Sequence, residues 1–250
     1  MKKWIIAFLV LFLITTGVLV NNGIEAYRHY RANEKMEELI KDQGSSLGTE
    51  DGNLQILPEY AAIYEKNSEF AGWIKIPDTM IDYPVMKPAS DNNYYLKHGP
   101  DGEKSKYGAI FMDVGTDLTN RKGNYILYGH YFRDGSMFGT LAFYKDESFW
   151  KEHPRIEFDT IYEKGTYEII SVFLTKVYRQ NEDVFKYYKY IDITSEEEFT
   201  KYVDGVKGLA LYDTGKTAKY GEQLITLSTC DYWTENGRLV VVAKRIENPS

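Results

Sequence analysis

Gln223-Leu224-Ile225-Thr226-Leu227-Ser228-Thr229-Cys230, the loop Asp231-Tyr232-Trp233-Thr234-Glu235-Asn236-Gly237, and then Arg238-Leu239-Val240-Val241-Val242-Ala243 make up the stretch that decides the fold. Two runs rich in β-branched and apolar residues, joined by a short polar loop ending in glycine, predict neighbouring strands. Alternation places Leu224, Thr226, Ser228 and Cys230 on one face of the first strand and Ile225, Leu227 and Thr229 on the other. Cys230 is the only cysteine of the 250 residues. In an exported chain it cannot close an intramolecular disulfide, so it is either a buried small hydrophobe or a reactive nucleophile, and its more polar face favours the nucleophile. Arg238 would lie at the same end of the adjacent strand, where a guanidinium can hold a carbonyl oxygen as negative charge develops on it.

A thiolate nucleophile needs a proton-transfer partner, usually histidine. Of the four histidines, His130 ends the apolar run Asn124-Tyr125-Ile126-Leu127-Tyr128-Gly129, where a strand end beside glycine projects a side chain into a cleft. His98 and His153 fall in a loop and at a strand start and read as surface residues. His29 reads as a solvated position on a juxtamembrane helix, remote from the core. No Asp or Asn stands as an obvious third member of a Cys-His-Asp arrangement, and Asp231 falls on the opposite side of the pleat from Cys230.

Outward from these motifs the chain reads as strands and turns: 72–77, 81–86, 108–112, 124–130, 155–162, 166–178, 223–230 and 238–246. About eight short strands with little helix between most of them predict a mainly β fold, an antiparallel barrel or sandwich. Twenty-two tyrosines and twelve phenylalanines suit such pleated surfaces. One interruption is helical. Ser195-Glu196-Glu197-Glu198 has the form of an N-cap with a capping box, and Phe199, Tyr202, Val203 and Val206 follow at helical spacing. This insertion, residues 194–208, with the loop Lys207 to Thr217, is expected to wall one side of a groove. Upstream, Pro58 opens a short helix with Tyr60, Ala61 and Tyr64 on its apolar stripe.

Trp4 to Val20 is a run of seventeen uncharged residues behind Lys2 and Lys3. As a helix it rises roughly 25 Å, enough for a minimal span. No small-x-small cleavage site closes the run, where Val18-Leu19-Val20-Asn21 stands. The two lysines predict a cytoplasmic N-terminus and an extracytoplasmic remainder, hence a single-pass protein of the cell membrane. The expected organisation is an anchor at 1–21, a charged juxtamembrane helix and Gly/Ser-rich linker at 22–57, and a catalytic domain at 58–250. A net charge of −7, from 30 basic and 37 acidic residues, argues against a nucleic-acid partner. The acidic residues are scattered and no His or Cys cluster exists, so neither a metal site nor a cofactor is expected.

Thr226-Leu227-Ser228-Thr229-Cys230, followed by Gly237-Arg238-Leu239-Val240-Val241-Val242-Ala243, together with Asn124-Tyr125-Ile126-Leu127-Tyr128-Gly129-His130, resemble the sortase family of cell-surface transpeptidases. Asp91-Asn92-Asn93-Tyr94-Tyr95-Leu96, Gly108-Ala109-Ile110-Phe111-Met112-Asp113, the N-terminal helix and the helical insertion resemble its class B members. The resemblance implies an eight-stranded closed β-barrel with the active site at the end of a groove and no metal requirement. It carries the family's catalytic trio onto Cys230, His130 and Arg238, and a substrate-positioning role onto Asn92 and Leu96. Ser228, on the cysteine face, is a further substrate contact. The implied partners are surface proteins bearing a C-terminal sorting motif, cleaved after Thr through a thioester, and an amine of a peptidoglycan precursor. The competing reading is an anchored cysteine peptidase that releases its product to water.

Overall fold

The computed structural model describes residues 2–41, 50–51, 54–119, 123–191, 193–231 and 234–246. Eight strands close into a barrel: β1 (Phe70–Lys75), β2 (Asp82–Met86), β3 (Ile110–Met112), β4 (Asn124–Gly129), β5 (Arg155–Thr160), β6 (Thr166–Lys176), β7 (Leu224–Cys230) and β8 (Gly237–Ile246). Their order around the ring is β8-β6-β5-β1-β2-β3-β4-β7, with β7 returning to β8. The expected antiparallel character holds for six of the neighbour pairs. It fails for β2 with β3 and for β4 with β7, which are parallel. Parallel neighbours cannot be joined by a tight turn. The chain between β2 and β3 accordingly runs through a 3₁₀ turn at Tyr94–Leu96, and the chain between β4 and β7 contains β5, β6 and the helices α3 (Glu147–Glu152) and α4 (Glu196–Gly208).

Alternate residues of β7 and β8 divide between two cores. Ile225, Leu227, Leu239, Val241 and Ala243 point into the barrel, where they meet Tyr125, Leu127, Phe158 and Tyr167. Leu224, Val240 and Val242 point outward and are covered by α4 (Glu196–Gly208), through Phe199, Tyr202, Val203 and Val206. Burial on both faces is why these strands read as near-continuous apolar runs. Ser195 caps α4 by accepting from the Glu198 backbone N–H at 3.2 Å. The carboxylate of Glu198 reaches back to the backbone N–H of Thr194 at 3.2 Å, one residue earlier than in a strict capping box.

A second outer cluster holds the N-terminal elements. The helix α2 (Pro58–Lys66) buries Tyr60, Ala61 and Ile63 against Phe70, Trp73 and Phe111. Tyr64, expected on the stripe, is only partly covered. The long helix α1 (Lys2–Lys41) adds Met36 to this cluster, with Leu39 and Ile40 packed beside it. His29 is correspondingly not a solvated surface residue. Its ring stacks on Tyr107 at 4.6 Å and tilts against Tyr83 at 6.1 Å. Most of the Gly/Ser-rich linker, 42–49 with 52 and 53, lies outside the described residues.

Candidate active site

Strand register assembles the site. Arg238 of β8 is the direct cross-strand partner of Cys230 of β7, and in an antiparallel pair directly opposed residues share a face with their Cβ atoms about 4.5–5.5 Å apart. On the other side β7 runs parallel to β4, and Gly129 pairs with Thr229. His130 is the next residue after Gly129, level with Cys230 at the same rim. Three adjacent strands thus deliver His130, Cys230 and Arg238 in one row, and all three line a single cleft of about 430 Å³.

Two members of the row are held by backbone carbonyls. His130 Nε2 lies 2.8 Å from the carbonyl oxygen of Leu96. A carbonyl only accepts, so Nε2 carries the proton, and in the neutral ring Nδ1 is the nitrogen able to take another. The Arg238 guanidinium donates through Nη1 to the Gly237 carbonyl at 2.8 Å and, more weakly, to that of Asn236 at 3.4 Å. Cys230 is partly exposed at the strand end. Space is scarce directly beneath the row. A Cβ on Gly129 would meet the Ile110 side chain at 2.5 Å and the Phe138 ring at 2.8 Å, and one on Gly237 would meet the Asp231 carbonyl oxygen at 2.2 Å.

Asn92 and Leu96 both line the cleft, in different ways. The Asn92 amide is committed on both sides: it donates to Asp113 at 3.0 Å and accepts from the Val114 backbone N–H at 2.7 Å. It therefore braces the cleft wall, and Asp113 behind it also accepts from the Tyr128 hydroxyl at 3.4 Å. Leu96 contributes its side chain to the wall and its carbonyl to His130. Ser228 is 1% exposed, and its hydroxyl is paired with that of Tyr187 at 2.7 Å. It lines the cleft beside Cys230 with its hydroxyl committed to Tyr187.

The opposite wall is not formed by the helical insertion expected there. Val177, Tyr187 and Tyr188 line the cleft, from the end of β6 and a 3₁₀ turn at Tyr187–Lys189, whereas α4 lies behind them over the barrel's outer face. The loop after α4 is also elsewhere: Leu211 bonds to Val172, Thr214 to Ile170 and Tyr212 to Tyr144. Burial raises the Tyr187 hydroxyl to about 12, despite the bond from Ser228, so it stays a neutral wall group. Nothing in the periodicity of 185–190, a tyrosine-rich irregular stretch, announced this role. Its only signal was aromatic density.

His98 stacks on Tyr94 at 4.0 Å and bonds its carbonyl, while His153 bonds the Pro77 carbonyl at 3.2 Å and packs on Phe149. Neither lines the cleft. Asp231 is nearly buried, ion-paired with Lys145. Among the described residues no group of three or more His, Cys, Asp or Glu side chains is placed to hold a metal ion.

A closed barrel with a cysteine, a histidine and an arginine level at one rim defines a cysteine acyl-transfer enzyme, and a model of the sortase domain matches residues 74–246. The chain belongs to the sortase family of cysteine transpeptidases, and its relatives place it in class B. It is 31% identical over 243 residues to sortase B of Listeria monocytogenes, covering 94% of this chain and 95% of that protein. Sortase B of Staphylococcus aureus is 31% identical over 194 residues, 77% of this chain and 76% of that one. The crystal structure of sortase B from B. anthracis in complex with AAEK1 superposes with a TM-score of 0.74 at 33% identity, covering 90% of this chain and 99% of that one.

Proposed function

We propose that Cys230 is the nucleophile, His130 the proton carrier and Arg238 the oxyanion donor of a transpeptidase that attaches exported proteins to the cell wall. The observation that carries this reading is the row itself: three chemically complementary side chains, in register on adjacent strands, lining one cleft. His130 takes the Cys230 thiol proton on Nδ1, and the resulting thiolate attacks the carbonyl carbon of a threonine within a C-terminal sorting motif. Arg238 steadies the negative charge that gathers on the oxygen. The C–N bond breaks as His130 protonates the leaving amine, and a thioester remains. An amine of a peptidoglycan precursor then attacks the thioester, His130 takes the surplus proton, and the thiolate departs.

Asn92 and Leu96 shape the peptide end of the cleft, and Ser228 acts through Tyr187. The apolar start of α1, unburied throughout, fits a retained anchor with Lys2 and Lys3 inside and the barrel outside.

The decisive measurement is the fate of the thioester. Positioning an amine where it outcompetes water is worth several kcal/mol of barrier. With a sorting-type pentapeptide and a short glycine peptide or diamino-acid stem mimic, mass spectrometry is expected to show amide product. Product consisting only of the hydrolysed acid, with the Cys230 thioester still forming, would replace the transpeptidase by an anchored peptidase. Cys230→Ala and His130→Ala are expected to abolish turnover. An effect of the same size in His98→Ala or His153→Ala would show that His130 is not the proton carrier.

A further inference from the structure

The apolar run of α1 ends at Val20, and a residue of the barrel domain touches the helix almost immediately beyond it. Lys106 donates from Nζ to the side-chain oxygen of Asn22 at 2.9 Å. A helix rises about 1.5 Å per residue, so Asn22 stands about 3 Å along the axis from the last apolar residue, and tilting the helix only lowers it. Headgroups extend roughly 5–7 Å beyond the hydrocarbon on each side of a bilayer. The contact at Lys106 therefore falls inside the headgroup layer of any membrane that the apolar run spans.

The composition of residues 94–106 suits that depth. Lys97, Lys104 and Lys106 are all exposed, and their stems let each ammonium reach phosphate. Tyr94 is 38% exposed, an aromatic ring with a polar tip, as found at membrane interfaces. The two acids of the segment, Asp101 and Glu103, are outnumbered by the lysines, and Asp101 accepts the Glu103 backbone N–H at 3.1 Å.

We propose that residues 94–106 are a membrane-seating surface, holding the barrel against anionic phospholipid headgroups of the bilayer that α1 crosses. This rests on the reading of α1 as a retained anchor. The seating also sets where chemistry happens. The same segment supplies Leu96, whose side chain lines the cleft and whose carbonyl holds His130, so this rim of the cleft is tied to the membrane surface and faces peptides still tethered there.

The test uses the full chain with Cys230→Ala, reconstituted into vesicles of phosphatidylglycerol and phosphatidylcholine, with a nitroxide placed at Glu103→Cys, which spares the lysines, or at Leu13→Cys. Nickel is supplied either on a chelating lipid headgroup or as a free aqueous chelate. The Glu103→Cys label is expected to lose more signal to lipid-borne nickel than to the aqueous chelate. The Leu13→Cys label should respond to oxygen and be shielded from the aqueous chelate. A shielded Leu13→Cys label together with a Glu103→Cys label insensitive to lipid-borne nickel overturns the seating surface and leaves the anchor standing. A Leu13→Cys label relaxed by the aqueous chelate overturns both.

Discussion

Arg238 shows how much of the site is set by single residues. Its guanidinium spends one nitrogen on the Gly237 and Asn236 carbonyls, an anchor that leaves a planar fork with donors to spare. A lysine keeps the charge and loses the fork. Arg238→Lys is expected to lower kcat/KM by on the order of 100- to 1,000-fold, the usual worth of an oxyanion donor, with little change in melting temperature. Rates close to those of the unmodified enzyme would remove arginine's special role. Gly129 makes the opposite point, because it matters through what it lacks. Gly129→Ala must displace Ile110 and Phe138, an overpacking cost of about 1–3 kcal/mol. It should also disturb His130, the next residue, so activity is expected to fall by more than the stability loss explains; denaturant melts and turnover on one preparation separate the two. That His130, Cys230 and Arg238 belong together was legible from residue type and strand ends. Tyr187 and Tyr188 were not, because the turn that carries them is irregular and its neighbours are remote in sequence.

Helix α1 behaves as an element whose two halves answer to different environments. Its first half leaves its apolar side chains exposed and its second half packs on the barrel through Met36, Leu39, Ile40 and His29. His29 lies nine residues beyond the apolar run, and burial at this contact pulls it from its ordinary 6.5 down to about 4, with Asp134 and Asp101 only partly opposing the shift. Tyr83, Tyr107 and Asn33 face it as neutral partners. Because the undocked histidine binds its proton more readily, docking is at full strength above pH 6.5 and is lost as pH falls towards 4. The effect is on the order of 1–3 kcal/mol after solvent screening. Hydrogen exchange along residues 25–41 is expected to speed up between pH 7 and pH 5, beyond the intrinsic pH effect, and His29→Phe should flatten that dependence. Equal pH dependence in the variant would assign it to another group. The charged character of this half suggested only a solvated helix, since Tyr83 of β2 and Tyr107 from the loop before β3 reach it from distant parts of the chain.

For the molecule as a whole, the packing of Met36 with Ile56, Tyr60 and Phe70 means that the barrel and the outer half of α1 stabilise one another. A chain beginning at residue 42 is expected to melt several degrees below one beginning at residue 22, since uncovering one large apolar side chain costs about 1.5–3 kcal/mol. Coincident melting curves would show that the helix contributes nothing to the fold. The sequence by itself determined the strand set, the helical insertion and the three residues at the rim, because alternation, capping and residue chemistry are local properties that survive without neighbours. The tertiary structure alone decided that β2 with β3 and β4 with β7 run parallel, that α4 backs the cleft wall without lining it, and that Ser228 and Asn92 brace other side chains. Those outcomes depend on which surfaces meet when the ring closes, and the pairing of residues as distant as Asn124 and Thr226, bonded at 2.7 Å, leaves no periodic trace along the chain.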